Sequence, residues 1–258
     1  MSDSNSTDNE NQPRGIEAVK NHMLENKIET ALWLSRVLSI VFAIGYLIPI
    51  FGSSQSAFYK VLIANAITSA LRLHQRLPQI QFTKEFLALL LIEDSCHYLF
   101  FSLIFLYVQP VLLVLFPVVL FAVLHSASYS LKMLDLLGQN SWWGARLLIS
   151  LVEFQQRNIL RLIAFSEIFL MPVAIISTFT GRAGLMTPFI YYHFLTLRYS
   201  SRRNPHTRNM FHELRLATEN IANNPKAPPI IGKVLHGAVR LISRLAPAQI
   251  PPQQQHAQ

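Results

Sequence analysis

The stretch LIEDSCHY at residues 91–98 sets Glu93, Asp94 and His97 in otherwise apolar sequence. On a helix, Glu93 and His97 are four residues apart and Asp94 and His97 three, so their side chains are neighbours. Ionisable groups at membrane depth are costly and mark a functional site by default. Besides contact with a lipid headgroup, two readings fit them. One is a metal or proton site, because a carboxylate three residues before a His recurs in di-iron helical bundles. That design needs matching carboxylates and a second His on facing helices. Glu153, Glu167 and His125 are the best-placed suppliers, and no second carboxylate-x-x-His pair occurs. The other is a buried polar network of Glu93, Asp94, His97 and Glu167, with Glu93 or Glu167 pairing with Arg157 or Arg161.

A lipid-modifying or metal-dependent membrane enzyme would rest on Glu93, Asp94 and His97 alone. There is no Gly-rich phosphate loop and no G-x-S-x-G elbow. The single cysteine, Cys96, permits neither an internal disulfide nor a cysteine-built zinc site. Inside an apolar run it reads as a small buried hydrophobe. The expectation is therefore no catalytic residue, no metal and no cofactor.

These residues need elements to position them, and composition says what kind. Hydrophobic residues make up 51% of the 258, charged residues only 14%, and the mean hydropathy is +0.31. A soluble domain carries about 25% charged residues. The apolar residues gather into segments at about 32–51, 57–73, 86–108, 111–131, 159–179 and 185–197. About 20 apolar residues cross the roughly 30 Å hydrocarbon core as a helix. The first segment meets that length and would act as a signal anchor, with Trp33 at the interface and Arg36 snorkelling outward. The second is interrupted by Lys60, Asn65, Thr68 and Ser69, and the last is short and contains Pro188. The expected fold class is all-α: a polytopic helical membrane domain over 14–197, after a disordered acidic N-terminus at 1–13.

Charge placement predicts the topology. The links at 52–56, 109–110 and 180–183 are short and carry one charge together. Basic residues fall in the others: Arg72, Arg76 and Lys84, then Lys132, Arg146 and Arg157, then the tail. Because cytosolic loops carry the Lys/Arg excess, three helical hairpins would enter from the cytosol with both termini cytosolic. Without a second span, the N-terminus would be lumenal.

Residues 198–258 hold nine basic and two acidic side chains, the larger part of the net charge of +8. Arg198, Arg202, Arg203 and Arg208 follow the last apolar segment directly, as a stop-transfer flank or an anionic-leaflet contact would. A short helix is expected at 210–221. After the breaker at 224–229, Ile231, Val234, Leu235, Leu241, Ile242 and Leu245 recur at helical spacing on one face of 230–245, with Lys233, Arg240 and Arg244 opposite. Sixteen residues with charge in the middle make a poor span and a good interfacial helix. The expected partner of this basic tail (198–245) is the anionic cytosolic leaflet, with no direct nucleic-acid contact. The Pro/Gln-rich residues 246–258 read as disordered.

Several strings carry a family resemblance: 26–36 (NKIETALWLSR), 64–78 (ANAITSALRLHQRLP), 91–105 (LIEDSCHYLFFSLIF), 167–172 (EIFLMP), 188–203 (PFIYYHFLTLRYSSRR) and 242–247 (ISRLAP). Together they resemble the transmembrane protein 33 family, which includes yeast pore-membrane proteins, over nearly the whole ordered chain. The resemblance implies a protein of the endoplasmic reticulum and nuclear envelope that organises tubular reticulum with reticulon-type partners and affects nuclear pore distribution. It also implies that 230–245 binds curved membrane. It implies no active site.

Overall fold

The computed structural model describes residues 15–49, 52–77, 83–139, 142–201, 204–223 and 237. Among the described residues there are ten α-helices and no strands. They are α1 (Ile16–Glu25), α2 (Lys27–Leu47), α3 (Ser54–Arg76), α4 (Lys84–Ile92), α5 (Asp94–Phe105), α6 (Leu112–Leu137), α7 (Trp143–Ile149), α8 (Gln156–Phe179), α9 (Thr187–Ser200) and α10 (His206–Ala222), with a π-helical turn at Ser150–Phe154 before α8. The chain is an all-α polytopic membrane protein.

Local chemistry sets the helix ends. The Ser53 hydroxyl accepts the Ser56 amide at the start of α3, and Thr83 does the same for Phe86 at the start of α4. Gly138, at φ 71°, closes α6 in the left-handed conformation that a side chain would strain. Pro188 lies in the first turn of α9, where its missing N–H costs nothing.

Burial runs inside out relative to a soluble protein. On α2 the buried side chains are Leu32, Ser35, Arg36, Ser39 and Ala43, while Leu34, Leu38, Val41, Ile44 and Leu47 are exposed. On α8, Ser166 and Glu167 point inward while Phe165, Phe169 and Ile176 face out. An apolar outer surface over a partly polar interior suits hydrocarbon, which cannot hydrogen-bond the polar groups. Arg36 does not snorkel outward as expected: only 7% of its surface is exposed, because α3 and α6 pack over its face of α2.

Length and composition qualify α2, α6 and α8 as membrane spans. The expected continuous segment at 86–108 is instead broken. Glu93 is extended (φ −79°, ψ 121°), and α4 and α5 meet at 81°. If that pair counts as one broken span, the total is four. The α3 helix, which contains the segment at 57–73, and the 14-residue α9 fall outside this test.

The core is aromatic. Phe101 and Phe105 of α5 meet Tyr191 and Phe194 of α9 edge-on or tilted, with ring centroids 5.3–6.2 Å apart. Backbone contacts gather the short links at one end of the bundle. The Gln109 amide donates to the Arg182 carbonyl at 3.0 Å. The Tyr59 hydroxyl, near the start of α3, donates to the Val108 carbonyl at 3.4 Å. The α4–α5 break, the end of α9 and the start of α10 lie together at the other end.

Candidate functional site

At the centre of that second end is Glu167, on the inward face of α8 and 0% exposed. Its Oε1 accepts the Tyr98 hydroxyl at 2.6 Å and Arg198 Nε at 2.9 Å, and its Oε2 accepts the Thr207 hydroxyl at 3.0 Å. The Tyr191 hydroxyl donates to the Glu167 carbonyl at 2.7 Å. Arg198, also 0% exposed, bridges onward through Nη1 to Asp94 Oδ1 at 3.0 Å, and the Ser201 hydroxyl donates to the same oxygen at 2.9 Å. Its guanidinium carbon lies 5.3 Å from the centroid of the Tyr98 ring. One ionic knot thus joins α5, α8, α9 and the start of α10.

The break in the third apolar segment serves this knot. With α4 ended, Leu91 has no following helical turn to take its carbonyl. His97 Nε2–H donates to that carbonyl at 2.7 Å. This bond fixes the tautomer, so the bare Nδ1, 3.7 Å from Asp94 Oδ1, carries no hydrogen bond. Glu93, at the corner, pairs with Arg76 of α3 at 3.2 Å. The three residues from the 91–98 run therefore separate: Glu93 faces α3, Asp94 faces Arg198, and His97 caps α4. Both carboxylates are engaged by guanidinium groups. Among the described residues, no group of three or more His, Cys, Asp or Glu side chains is placed to hold a metal ion.

Two expectations need correction. Arg161 does not join the buried carboxylates. It lies on the outward side of α8, half exposed, and pairs with Glu213 of α10 at 2.7 Å. Arg198 is buried and paired with Glu167 and Asp94, not free to contact a surface. It shares a face of α9 with the buried Tyr191, Phe194 and Leu195, so the packing that buries those rings carries its guanidinium inward to Glu167. The seven-residue spacing of Tyr191 and Arg198, two helical turns, was the available signal. Tyr98, Thr207 and Ser201 carried none, because their roles depend on distant partners.

Of the other basic positions, Arg208 is exposed on α10. Arg202, Arg203 and the residues expected to form the tail helix, Ile231, Lys233, Val234, Leu235, Arg240, Leu241, Ile242, Arg244 and Leu245, lie outside the described residues. Beside the knot, His206 opens α10. Partial burial, then the positive charges of Arg157, Arg198 and Arg161, hold its imidazole below its ordinary pKa.

The family described as Transmembrane protein 33/Nucleoporin POM33 matches this chain over residues 11–248. The chain belongs to that family. It is 58% identical to Krueppel homolog 2 of Drosophila melanogaster over 230 residues, 89% of this chain and 83% of the fly protein. It is 48% identical to transmembrane protein 33 of Homo sapiens over 239 residues, 92% and 96% of the two chains. It is 39% identical to the transmembrane protein 33 homolog of Caenorhabditis elegans over 236 residues, 89% and 86%. No solved structure matches the chain. All the knot residues, from Asp94 to Thr207, fall inside the stretch matched by the transmembrane protein 33 family.

Proposed function

We propose that this protein is a non-enzymatic organiser of endoplasmic reticulum and nuclear envelope membrane. Helical hairpins enter from the cytosol, both termini are cytosolic, and a curvature-sensitive helix at 230–245 lies on the cytosolic leaflet. The observation that carries the reading is the polarity of the bundle. Its short links, nearly free of charge, gather at one end, while Arg72, Arg76 and Arg198 lie at the other. Hairpins inserted from one side take more area in the near leaflet than in the far one, which biases curvature. The family description, which includes a nucleoporin, supports the pore association; reticulon-type partners are proposed with it. The ionic knot serves as the rigid joint between the membrane bundle and the basic tail.

The test uses full-length protein reconstituted into vesicles containing anionic lipid. Wild type is expected to narrow the vesicles into tubules, and Val234→Asp with Leu241→Asp is expected to reduce this sharply. Vesicles that stay round with wild type, or tubulation undiminished in the variant, would sink the curvature mechanism.

A further inference from the structure

A partly open cavity of about 280 Å³ lies beside the knot, lined by residues of α2, α3, α5, α6, α8 and α10. Its charged lining, among the described residues, is three guanidinium groups, Arg36 of α2 and Arg72 and Arg76 of α3, against one carboxylate, with His125 of α6 and His206 of α10 also on the wall. Its one carboxylate, Asp94, is committed through Oδ1 to Arg198 and Ser201. Arg76 is held by Glu93, and Arg72 is only loosely held, 3.7 Å from Glu29. Arg36 has no hydrogen bond or ion pair among the described residues, although 93% of its surface is buried.

A guanidinium drawn into the protein without a protein acceptor leaves its donors facing the cavity, where an anion would compensate them. Its five donors in a planar fork match phosphate geometry. We infer that the cavity is a binding site for a phosphate-bearing anion, with Arg36 as the central ligand and Arg72 and Arg76 flanking it. Drug-sized ligand pockets run from roughly 300 to 1,000 Å³, so a space of 280 Å³ admits a phosphate or a lipid headgroup and excludes a dinucleotide. Basic pockets between membrane helices take anionic headgroups on physical grounds. The same chemistry would hold a free phosphate. The inference does not rest on the tail helix or on curvature. Occupancy would tie α2 and α3 to the start of α10, so the anion would stiffen the joint beneath the tail.

The test uses purified, delipidated full-length protein in neutral detergent. The probes are phosphatidic acid, phosphatidylcholine and inorganic phosphate, read by native mass spectrometry and thermal unfolding. Wild type is expected to retain phosphatidic acid and unfold at higher temperature with it, and to ignore phosphatidylcholine. An equal shift with inorganic phosphate assigns a soluble anion; a shift with phosphatidic acid alone assigns a lipid headgroup. Arg36→Gln is expected to weaken binding by at least about tenfold. Without ligand it should unfold no lower than wild type, because an uncompensated buried charge is gone. The exposed Arg208→Gln should bind as wild type does. Should Arg36→Gln fail to fold, Arg72→Gln, which gives up only the 3.7 Å pair, should show weakened binding in its place. Binding undiminished in the cavity variants, or a wild type indifferent to both phosphatidic acid and phosphate, overturns the site.

Discussion

Arg198 Nε donates to Glu167 Oε1 at 2.9 Å with both side chains withdrawn from solvent, 31 residues apart in the chain and on different helices. Breaking a buried pair by removing one partner costs about 3–5 kcal/mol, because the other charge is left uncompensated. Arg198→Ala and Glu167→Ala are each expected to destabilise by that order. The double variant Glu167→Leu/Arg198→Met should recover much of the loss. Thermal unfolding in detergent checks this. Single variants as stable as wild type would mean the pair does not close in the folded protein.

His97 determines whether the α4–α5 corner holds. His97→Ala leaves the Leu91 carbonyl without its 2.7 Å donor, at a cost of about 1–3 kcal/mol. The loss should be local. Amide exchange is expected to quicken over residues 91–97 while the Phe101–Tyr191 core keeps its protection. The chemically similar Asp94→Asn should loosen the start of α10 instead, through Arg198 and Ser201.

The pH dependence at His206 has a definite sign. Its pKa is lowered in the folded protein, by partial burial first and then by Arg157, Arg198 and Arg161. The unfolded chain therefore binds the proton more readily. The folded state keeps its full advantage above the ordinary imidazole pKa of about 6.5, and loses it as pH falls through that value toward the lowered one. Acidification from about pH 7.5 to about pH 5.5 should cost wild type more stability than His206→Gln. Equal losses would show that His206 titrates freely.

What could be read from the sequence was periodic and local. The inward Ser35, Ser39 and Arg36 against outward Leu34, Leu38 and Val41 on α2 follow from helical spacing alone, although which face turned inward did not. Glu93, Asp94 and His97 stood out because charge is rare in apolar sequence. Their separate fates were not legible, since Arg76 lies 17 residues before Glu93 and Arg198 lies 104 after Asp94. Arg198 opens a basic cluster and so reads as a surface residue, and only the depth of Glu167 on a neighbouring helix decides otherwise. Arg161, one of the two arginines offered for Glu93 or Glu167, shares α8 with Glu167 but not its face, because six residues along a helix turn a side chain well away from the first.

Glycosylation mapping bears most directly on the hairpin architecture. Acceptor sites would be placed, one at a time, in a lengthened 52–56 link, in the 132–158 connection around α7 and at both termini of the full-length protein. The expected result is modification at 52–56 alone, which sets the short links in the lumen and the basic end, with its ionic knot and tail, in the cytosol. Modification at the N-terminus or in the 132–158 connection would contradict it. The chain would then cross fewer times, and its tail would have to act without hairpins inserted from the same side.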